Sequence, residues 1–176
     1  MRRRIRSVSL PLCGRCRSVG RKYIIRKIMD AREKKELAEE LTELLRDEDR
    51  REITAGGRGA YDEVHDSIHM SAECYAAFAG EDRALIAVWG YRRVKGADGR
   101  LIWCLGTYQI KRYWLPFAVE SKRIIARWAR RFGVLYNAVG AFNHDTIRWL
   151  EWCGAIFHEE VKVGDEVFLP FTIGGG

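Results

Sequence analysis

Residues 134–155 read VLYNAVGAFNHDTIRWLEWCGA, and this stretch decides the predicted fold. Its first six residues, 134–139, are mostly apolar and predict a short strand. Asn143 is a favourable N-cap residue, and Phe142 and Ile147 stand at the two positions of a hydrophobic staple, so a helix is predicted to begin there. The stretch is therefore predicted to form a strand, a turn and a capped helix.

The residues before this stretch predict another strand and a long helix. Residues 101–107 form an apolar run without polar alternation, which favours a central strand buried on both faces. Residues 117–132 carry an apolar stripe at helical spacing, with Pro116 near the first turn and Gly133 as the C-cap. Two strands joined through a helix are expected to pair in parallel.

The remaining patterned segments predict helices before this unit and antiparallel strands on both sides of it. Helices are predicted at residues 30–51 and 61–68, and strands at residues 72–78, 83–94, 155–161 and 166–172. Short glycine-containing turns between these strands imply antiparallel pairing. The predicted fold class is therefore α/β (α+β, with a mixed sheet), a sandwich that carries helices on both faces of a central mixed sheet.

The net charge of +7 is concentrated at the beginning of the chain. Residues 1–28 carry ten of the 31 basic residues and no acidic one, which leaves about −3 for residues 29–176. Three interpretations of the first segment stay open: a disordered arm that contacts phosphates, a transit peptide, or an extension upstream of a true start at Met29. We therefore predict a basic arm at residues 1–28, an amphipathic helix with a glycine-rich connection at 29–56, and one domain at 57–176.

Cysteine and histidine spacing predicts no metal site. Cys13 and Cys16 form a lone CxxC, although structural zinc needs four ligands. His65 and His69 are spaced i, i+4, but no third ligand is evident in the sequence. Five cysteines, an odd number, give no disulfide framework, and no apolar run approaches the roughly 18 residues of a membrane span.

Four segments carry a resemblance to a known family. Residues 143–155 resemble the asparagine-started last helix of the GNAT N-acetyltransferases, and the predicted element order is similar to theirs. Residues 136–139, 154–160 and 168–172 are more narrowly similar to phage proteins with a GNAT-like domain, a family that includes internal virion protein A of short-tailed phages. The resemblance covers residues 57–174 and implies a GNAT-like sandwich.

The resemblance also indicates where a cofactor would bind. GNAT enzymes hold the acetyl-CoA diphosphate on a glycine-rich loop before a helix, but the matching residues 108–116 contain no glycine. Lys111 and Arg112 would then have to bind the diphosphate by charge, and Asn143 is the third candidate cofactor-binding residue. Leu150 replaces the tyrosine acid of the family, and the predicted central strand has no carboxylate base. The catalytic residues therefore stay unassigned.

These departures favour a protein without efficient acetyl transfer. We expect a phage protein with a degenerate GNAT-like fold that acts in virion assembly or as a virion-associated structural protein. Its partners would be phage structural proteins, it would need no cofactor, and it would occupy the host cytoplasm and the virion. Two alternatives stay open: an active acetyl-CoA-dependent N-acetyltransferase with an atypical loop, and a nucleic-acid-binding protein that uses the basic arm.

Overall fold

A computed structural model describes residues 23–80 and 83–175. The helices are α1 (Ala31–Leu44), α2 (Asp47–Thr54), α3 (Ala60–His69), α4 (Trp114–Phe132) and α5 (His144–Trp152), and a short 3₁₀ helix spans Tyr108–Arg112. The strands are β1 (Tyr23–Ile28), β2 (Glu73–Ala79), β3 (Ala84–Arg92), β4 (Arg100–Gly106), β5 (Leu135–Gly140), β6 (Ile156–Phe157), β7 (Val161–Val163) and β8 (Glu166–Ile173). None of the helices in these two ranges is long and apolar enough to cross a membrane.

The strands form one mixed sheet in the order β1-β2-β3-β4-β5-β8-β6, and β7 also pairs with β8. β4 and β5 are parallel, as expected for strands joined through a helix, and the other pairs are antiparallel. One apolar core includes residues of α4 and α5, and a second includes residues of α1 and α3. The predicted α/β sandwich with helices on both faces is therefore confirmed.

The strand that is buried along its length is β3 rather than β4. Seven consecutive residues of β3, Leu85 to Tyr91, are buried, whereas Trp103 and Cys104 of β4 are half-buried. β3 has β2 on one side and β4 on the other from Ala87 to Tyr91, whereas β4 pairs with β5 at only two positions. The expectation that residues 101–107 are buried on both faces is therefore wrong at its centre.

The helix predicted at residues 30–51 is interrupted. Leu45 leaves the helical region and pairs with Thr107, and the N–H of Arg46 donates to the carbonyl oxygen of Gly106 at 3.1 Å. These contacts to the end of β4 divide the segment into α1 and α2. Likewise, the strand predicted at 155–161 is two short strands, β6 and β7, separated by residues 158–160.

The predicted arm and domain boundaries differ from the structure. Residues 1–22 lie outside the described part of the chain, but residues 23–28 form β1, which pairs with β2 over six residues. Ile28 is buried, and so are Leu37 and Leu41 of α1, all in the core that α3 shares. The folded unit therefore includes residues 23–56, because their apolar side chains complete the core on that face of the sheet.

Candidate functional site

The two parallel strands at the centre of the sheet separate soon after they meet. β4 and β5 pair only where Arg100 faces Leu135 and Leu101 faces Tyr136. One residue further, the side chain of Asn137 bridges the widening space, and its Nδ2 donates to the carbonyl oxygen of Ile102 at 2.6 Å. The gap between the remaining halves of the strands exposes main-chain groups that would otherwise be paired.

Two carboxylates of α2 occupy the ends of the separated strands. Asp49 accepts a hydrogen bond from the N–H of Gly106, the last residue of β4, at 2.6 Å. Glu52 Oε1 accepts from the N–H of Gly140, the last residue of β5, at 3.0 Å and from Asn143 Nδ2 at 2.7 Å. Because residues three apart lie on the same face of a helix, α2 holds both strand ends at once.

The main chain of Cys104 faces this gap. Polar groups of successive strand residues alternate between the two sides, and those of Ile102 and Gly106 point away from β3 toward Asn137 and Asp49. Cys104 lies between them, so its N–H and carbonyl oxygen point the same way. Burial raises the pKa of the Cys104 thiol to about 12, which keeps this thiol protonated at neutral pH.

Glu52 titrates near neutrality in this setting. Burial raises the pKa of Glu52 to about 7, with the Asp49 carboxylate acting in the same direction, while the hydrogen bonds from Asn143 and Gly140 oppose the shift. Asp49 is buried against the guanidinium of Arg46, whose Nη2 donates to Asp49 at 2.6 Å and to Thr146 at 2.8 Å. A carboxylate with this pKa can accept and release a proton at physiological pH.

Two neighbouring cavities lie beside the gap. The outer cavity, about 670 Å³, lies among α4, α5, Arg46 and the end of β4, and Lys111, Trp114, Leu115, Arg148 and Trp152 line it. The inner cavity, about 80 Å³, lies between α4, α5 and the sheet, and Glu52, Trp89, Phe117, Ser121, Ile125, Asn137, Val139 and Leu150 are among the residues that line it. Cys104, Phe117, Thr146 and Trp149 line both cavities, so the two cavities adjoin one another beside the gap.

The structure separates the three candidate cofactor residues. Lys111 lines the outer cavity with an exposed side chain, and its Nζ is 4.0 Å from Glu48. The guanidinium of Arg112 lies over the ring of Tyr113, 5.9 Å from the ring centre, and Arg112 does not line either cavity. Asn143 is buried, caps α5 and donates to Glu52, so it supports the site without being exposed to a ligand.

The first turn of α4 borders the outer cavity. The N–H of Tyr113 donates to Ile110 and that of Phe117 donates to Tyr113, while Pro116 has no N–H. The amides of Trp114 and Leu115 are therefore the first-turn donors available to a ligand, because a helix leaves its first amides without an intrahelical acceptor. The two side chains are also exposed.

The histidine pair does not contribute to this site. His65 and His69 stack with ring centres 3.9 Å apart, and His69 Nδ1 lies 3.0 Å from the carbonyl oxygen of His65. Within residues 23–80 and 83–175, no group of three or more candidate ligands could hold a metal ion. Cys13 and Cys16 lie outside the described residues.

Sequence reasoning missed Arg46, Asp49 and Glu52. They belong to a charged run, Arg46-Asp47-Glu48-Asp49-Arg50-Arg51-Glu52, which is typical of a solvated helix face. The available signal was the spacing of Asp49 and Glu52, which places them on one helix face. Their partners at Gly106, Gly140 and Asn143 are 57 to 91 residues away along the chain, so nothing local indicated burial.

Comparison with known proteins identifies the fold. No protein-family profile and no curated protein matches the sequence. Among solved structures, a GNAT-family acetyltransferase from Bacillus anthracis is similar with a TM-score of 0.60 and 13% identity, covering 87% of this chain and 95% of that one. Spermidine N-acetyltransferase from Vibrio cholerae, solved with CoA and spermine, gives a TM-score of 0.58 at 12% identity, covering 87% and 95% of the two chains.

A third similar structure is the GNAT domain of S. lividans PAT, with a TM-score of 0.58 and 16% identity over 85% of this chain and 89% of that one. These comparisons do not support the expected resemblance to a phage virion protein. The nucleic-acid alternative depends on an arm whose residues 1–22 lie outside the described residues. At these identities the likeness concerns architecture, and the chain has the fold of the GNAT acetyltransferases.

Proposed function

We propose that this protein is an acyl-CoA-dependent N-acyltransferase in which Glu52 is the general base. The observation that carries the proposal is the gap between β4 and β5, where Glu52, with a pKa of about 7, lines the inner cavity of about 80 Å³ next to the outer cavity of about 670 Å³. A base that titrates near the working pH is suited to remove the proton from an attacking amine. An interaction module would not need such a group beside a cavity of this size.

The lining of the cavities fits a ligand rich in oxygen acceptors. Among the described residues, six buried side-chain atoms have no hydrogen-bond partner, and three of them, Arg46 Nε, Trp89 Nε1 and Trp149 Nε1, belong to residues that line one or both cavities. Buried donors without acceptors are rare in folded proteins because each costs stability. The amide carbonyls, thioester carbonyl and phosphates of an acyl-CoA would supply acceptors, and the outer cavity of about 670 Å³ is large enough to hold much of the molecule.

Phosphate binding would use charge and two amides in place of a glycine-rich loop. The N–H groups of Trp114 and Leu115 lie at the positive end of the α4 dipole, which favours an anion. Lys111 and Arg148 add cationic groups at the mouth of the outer cavity. Each has an acidic neighbour, Glu48 at 4.0 Å and Asp145 at 2.6 Å, so a diphosphate would have to compete with these exposed pairs.

Different groups of this chain would act at different steps of the acyl transfer. When bound, an acyl-CoA supplies the thioester carbonyl that an amine can attack. Glu52 accepts a proton from the amine, and the hydrogen bonds from Gly140 and Asn143 hold its carboxylate in place. The N–H of Cys104, which faces the gap, can donate to an oxygen that gains negative charge. As the amine nitrogen forms the amide bond, the C–S bond would break and CoA would leave as a thiolate. Leu150 carries no proton to donate, so the thiolate would take its proton from water or from the protonated Glu52.

The test measures acyl transfer from acetyl-CoA to a panel of primary amines by detecting the free thiol of the released CoA. Glu52→Gln keeps an amide oxygen for both hydrogen bonds but removes the base, so we expect kcat/KM to fall by about 10²–10⁴. Asp47→Asn, at an exposed position on the same helix, is the control and should retain full turnover. Equal turnover by the two variants would remove Glu52 from the mechanism, and no saturable CoA binding by calorimetry would reject the function itself.

A further inference from the structure

The inner cavity has walls that offer mostly hydrocarbon. Trp89, Phe117, Ile125, Val139 and Leu150 line it, and each is nine-tenths buried or more. These side chains come from β3, α4, β5 and α5, so regular elements of the core, rather than exposed loops, supply these walls. A space of this kind favours apolar atoms, because polar groups entering it would lose hydrogen bonds to water.

The polar side chains of the inner cavity are already engaged elsewhere. Ser121 donates to the carbonyl oxygen of Ala118 at 3.0 Å, and Thr146 accepts from Arg46. Asn137 uses both ends of its amide, donating to Ile102 and accepting from the N–H of Ala138. Glu52 is held by two donors, as described above. Within the described residues, the indole N–H groups of Trp89 and Trp149 have no partner. Both hydrogen bonds to Glu52 go to Oε1, so Glu52 Oε2 and the main chain of Cys104 are further polar groups of this wall.

We propose that the inner cavity receives the hydrocarbon tail of the acyl group, and that the protein selects a short-chain acyl thioester such as butyryl over acetyl. The inference rests on the proposed function. The tail would enter beside Cys104, which lines both cavities and whose N–H faces the gap.

The volume sets the length of the tail. An apolar cavity of about 150 Å³ holds benzene, or about 25 Å³ per carbon. The inner cavity of about 80 Å³ therefore has room for roughly three carbons. Acetyl fills one of them and butyryl fills all three, whereas the five tail carbons of hexanoyl exceed the space.

The charge of the wall also selects against acidic tails. A succinyl tail would offer a carboxylate to the indole N–H groups of Trp89 and Trp149. It would do so in the cavity that Glu52 lines, and like charges at close range oppose one another in a poorly solvated site. We therefore expect succinyl thioesters to bind less tightly than butyryl thioesters.

Calorimetric titration of the full chain with CoA, acetyl-CoA, butyryl-CoA, hexanoyl-CoA and succinyl-CoA tests the inference. Burial of each methylene should tighten binding roughly fourfold, so butyryl-CoA should bind about 15-fold more tightly than acetyl-CoA. Hexanoyl-CoA and succinyl-CoA should both bind more weakly than butyryl-CoA. Equal affinity for acetyl-CoA and butyryl-CoA, or tightest binding of succinyl-CoA, would overturn the chain-length inference and leave the proposed function intact. Binding of none of the five would overturn both.

A variant that fills the inner cavity tests whether the acyl tail binds there. Ser121→Leu adds side-chain carbon to the wall and loses only a hydrogen bond within its own helix. We expect it to bind acetyl-CoA within about threefold of the parent and to lose the butyryl preference; retained acetyl-CoA binding also shows that it folds. Ala126→Leu, on the same helix but away from both cavities, should keep the preference. A preference unchanged in Ser121→Leu, or lost in both variants, would place the tail elsewhere and refute the proposal.

Discussion

Replacement of Glu52 by Gln should change the pH dependence of stability. In the folded protein burial raises the pKa of Glu52 from 4.5 to about 7. Between those two values the folded state keeps this proton and the unfolded chain has lost it, so the folded state binds more protons. The stabilising contribution of Glu52 to the free energy of unfolding is therefore greatest below pH 4.5 and is lost as the pH rises through about 7. Gln does not titrate, so Glu52→Gln lacks this loss.

The size of the pKa shift of Glu52 sets the size of the expected change in stability. One pKa unit corresponds to about 1.4 kcal/mol, so the full shift corresponds to about 3 kcal/mol and the part between pH 5 and pH 8 to about 2–3 kcal/mol. Relative to the parent, the free energy of unfolding of Glu52→Gln should rise by that amount between pH 5 and pH 8. Weaker hydrogen bonds from Gly140 and Asn143 to the amide oxygen would add a cost that is the same at both pH values.

Urea unfolding of the parent and the variant at pH 5 and pH 8 measures this gain. Other titrating groups cancel in the difference because both proteins carry them, and unchanged m-values would confirm that two-state analysis applies. Asp47→Asn, at an exposed position of the same helix, should show no comparable gain. A parent–variant difference that is the same at pH 5 and pH 8 would refute the raised pKa and, with it, the argument for Glu52 as a base.

Three further predictions concern the framework of the site. Asp49→Ala should lower the free energy of unfolding by about 3–5 kcal/mol in urea titrations, because it leaves a buried guanidinium without its partner; a loss below 1 kcal/mol would contradict this. In thermal unfolding, Gly90→Ala should destabilise by about 1–3 kcal/mol, since its Cβ would lie 2.5 Å from a main-chain oxygen of β2, whereas Gly56→Ala, with nothing within 4 Å, should change little. Ile28→Ala should cost about 2–5 kcal/mol and Ile24→Ala under 1 kcal/mol, because the first is buried and the second exposed; equal small losses would show that β1 adds little to the core.

Local signals were sufficient to predict where α4 ends and where α5 begins. α4 ends at Gly133, whose φ of 78° suits glycine, and Asn143 caps α5 through its side chain, both as predicted. The interruption between α1 and α2 could not be predicted in this way, because the leucine stripe continues through Leu45. The break comes from pairing with Thr107, 62 residues later in the chain, and such a contact leaves no periodic pattern.

The candidate site was harder to predict than the fold for a related reason. Lys111 was found because it follows a strand and precedes a helix, which is local information. Asp49 and Glu52 were missed because a carboxylate in a charged run looks solvated until the sheet places two strand ends against it. The sequence could not indicate the main-chain donors of Trp114, Leu115 and Cys104, because these follow from the start of α4 and the separation of the strands.

Asp49 and Glu52 of α2 have different roles, although each accepts a hydrogen bond from the end of a strand. Asp49 is paired with Arg46, so its charge is balanced, and its removal would leave a cation buried. Glu52 receives two neutral donors, and a glutamine could accept the same two hydrogen bonds without a buried charge. A carboxyl at that position therefore lowers stability above pH 7 without adding a contact. The proposed role of Glu52 as a general base would account for this cost, because that role uses the proton itself.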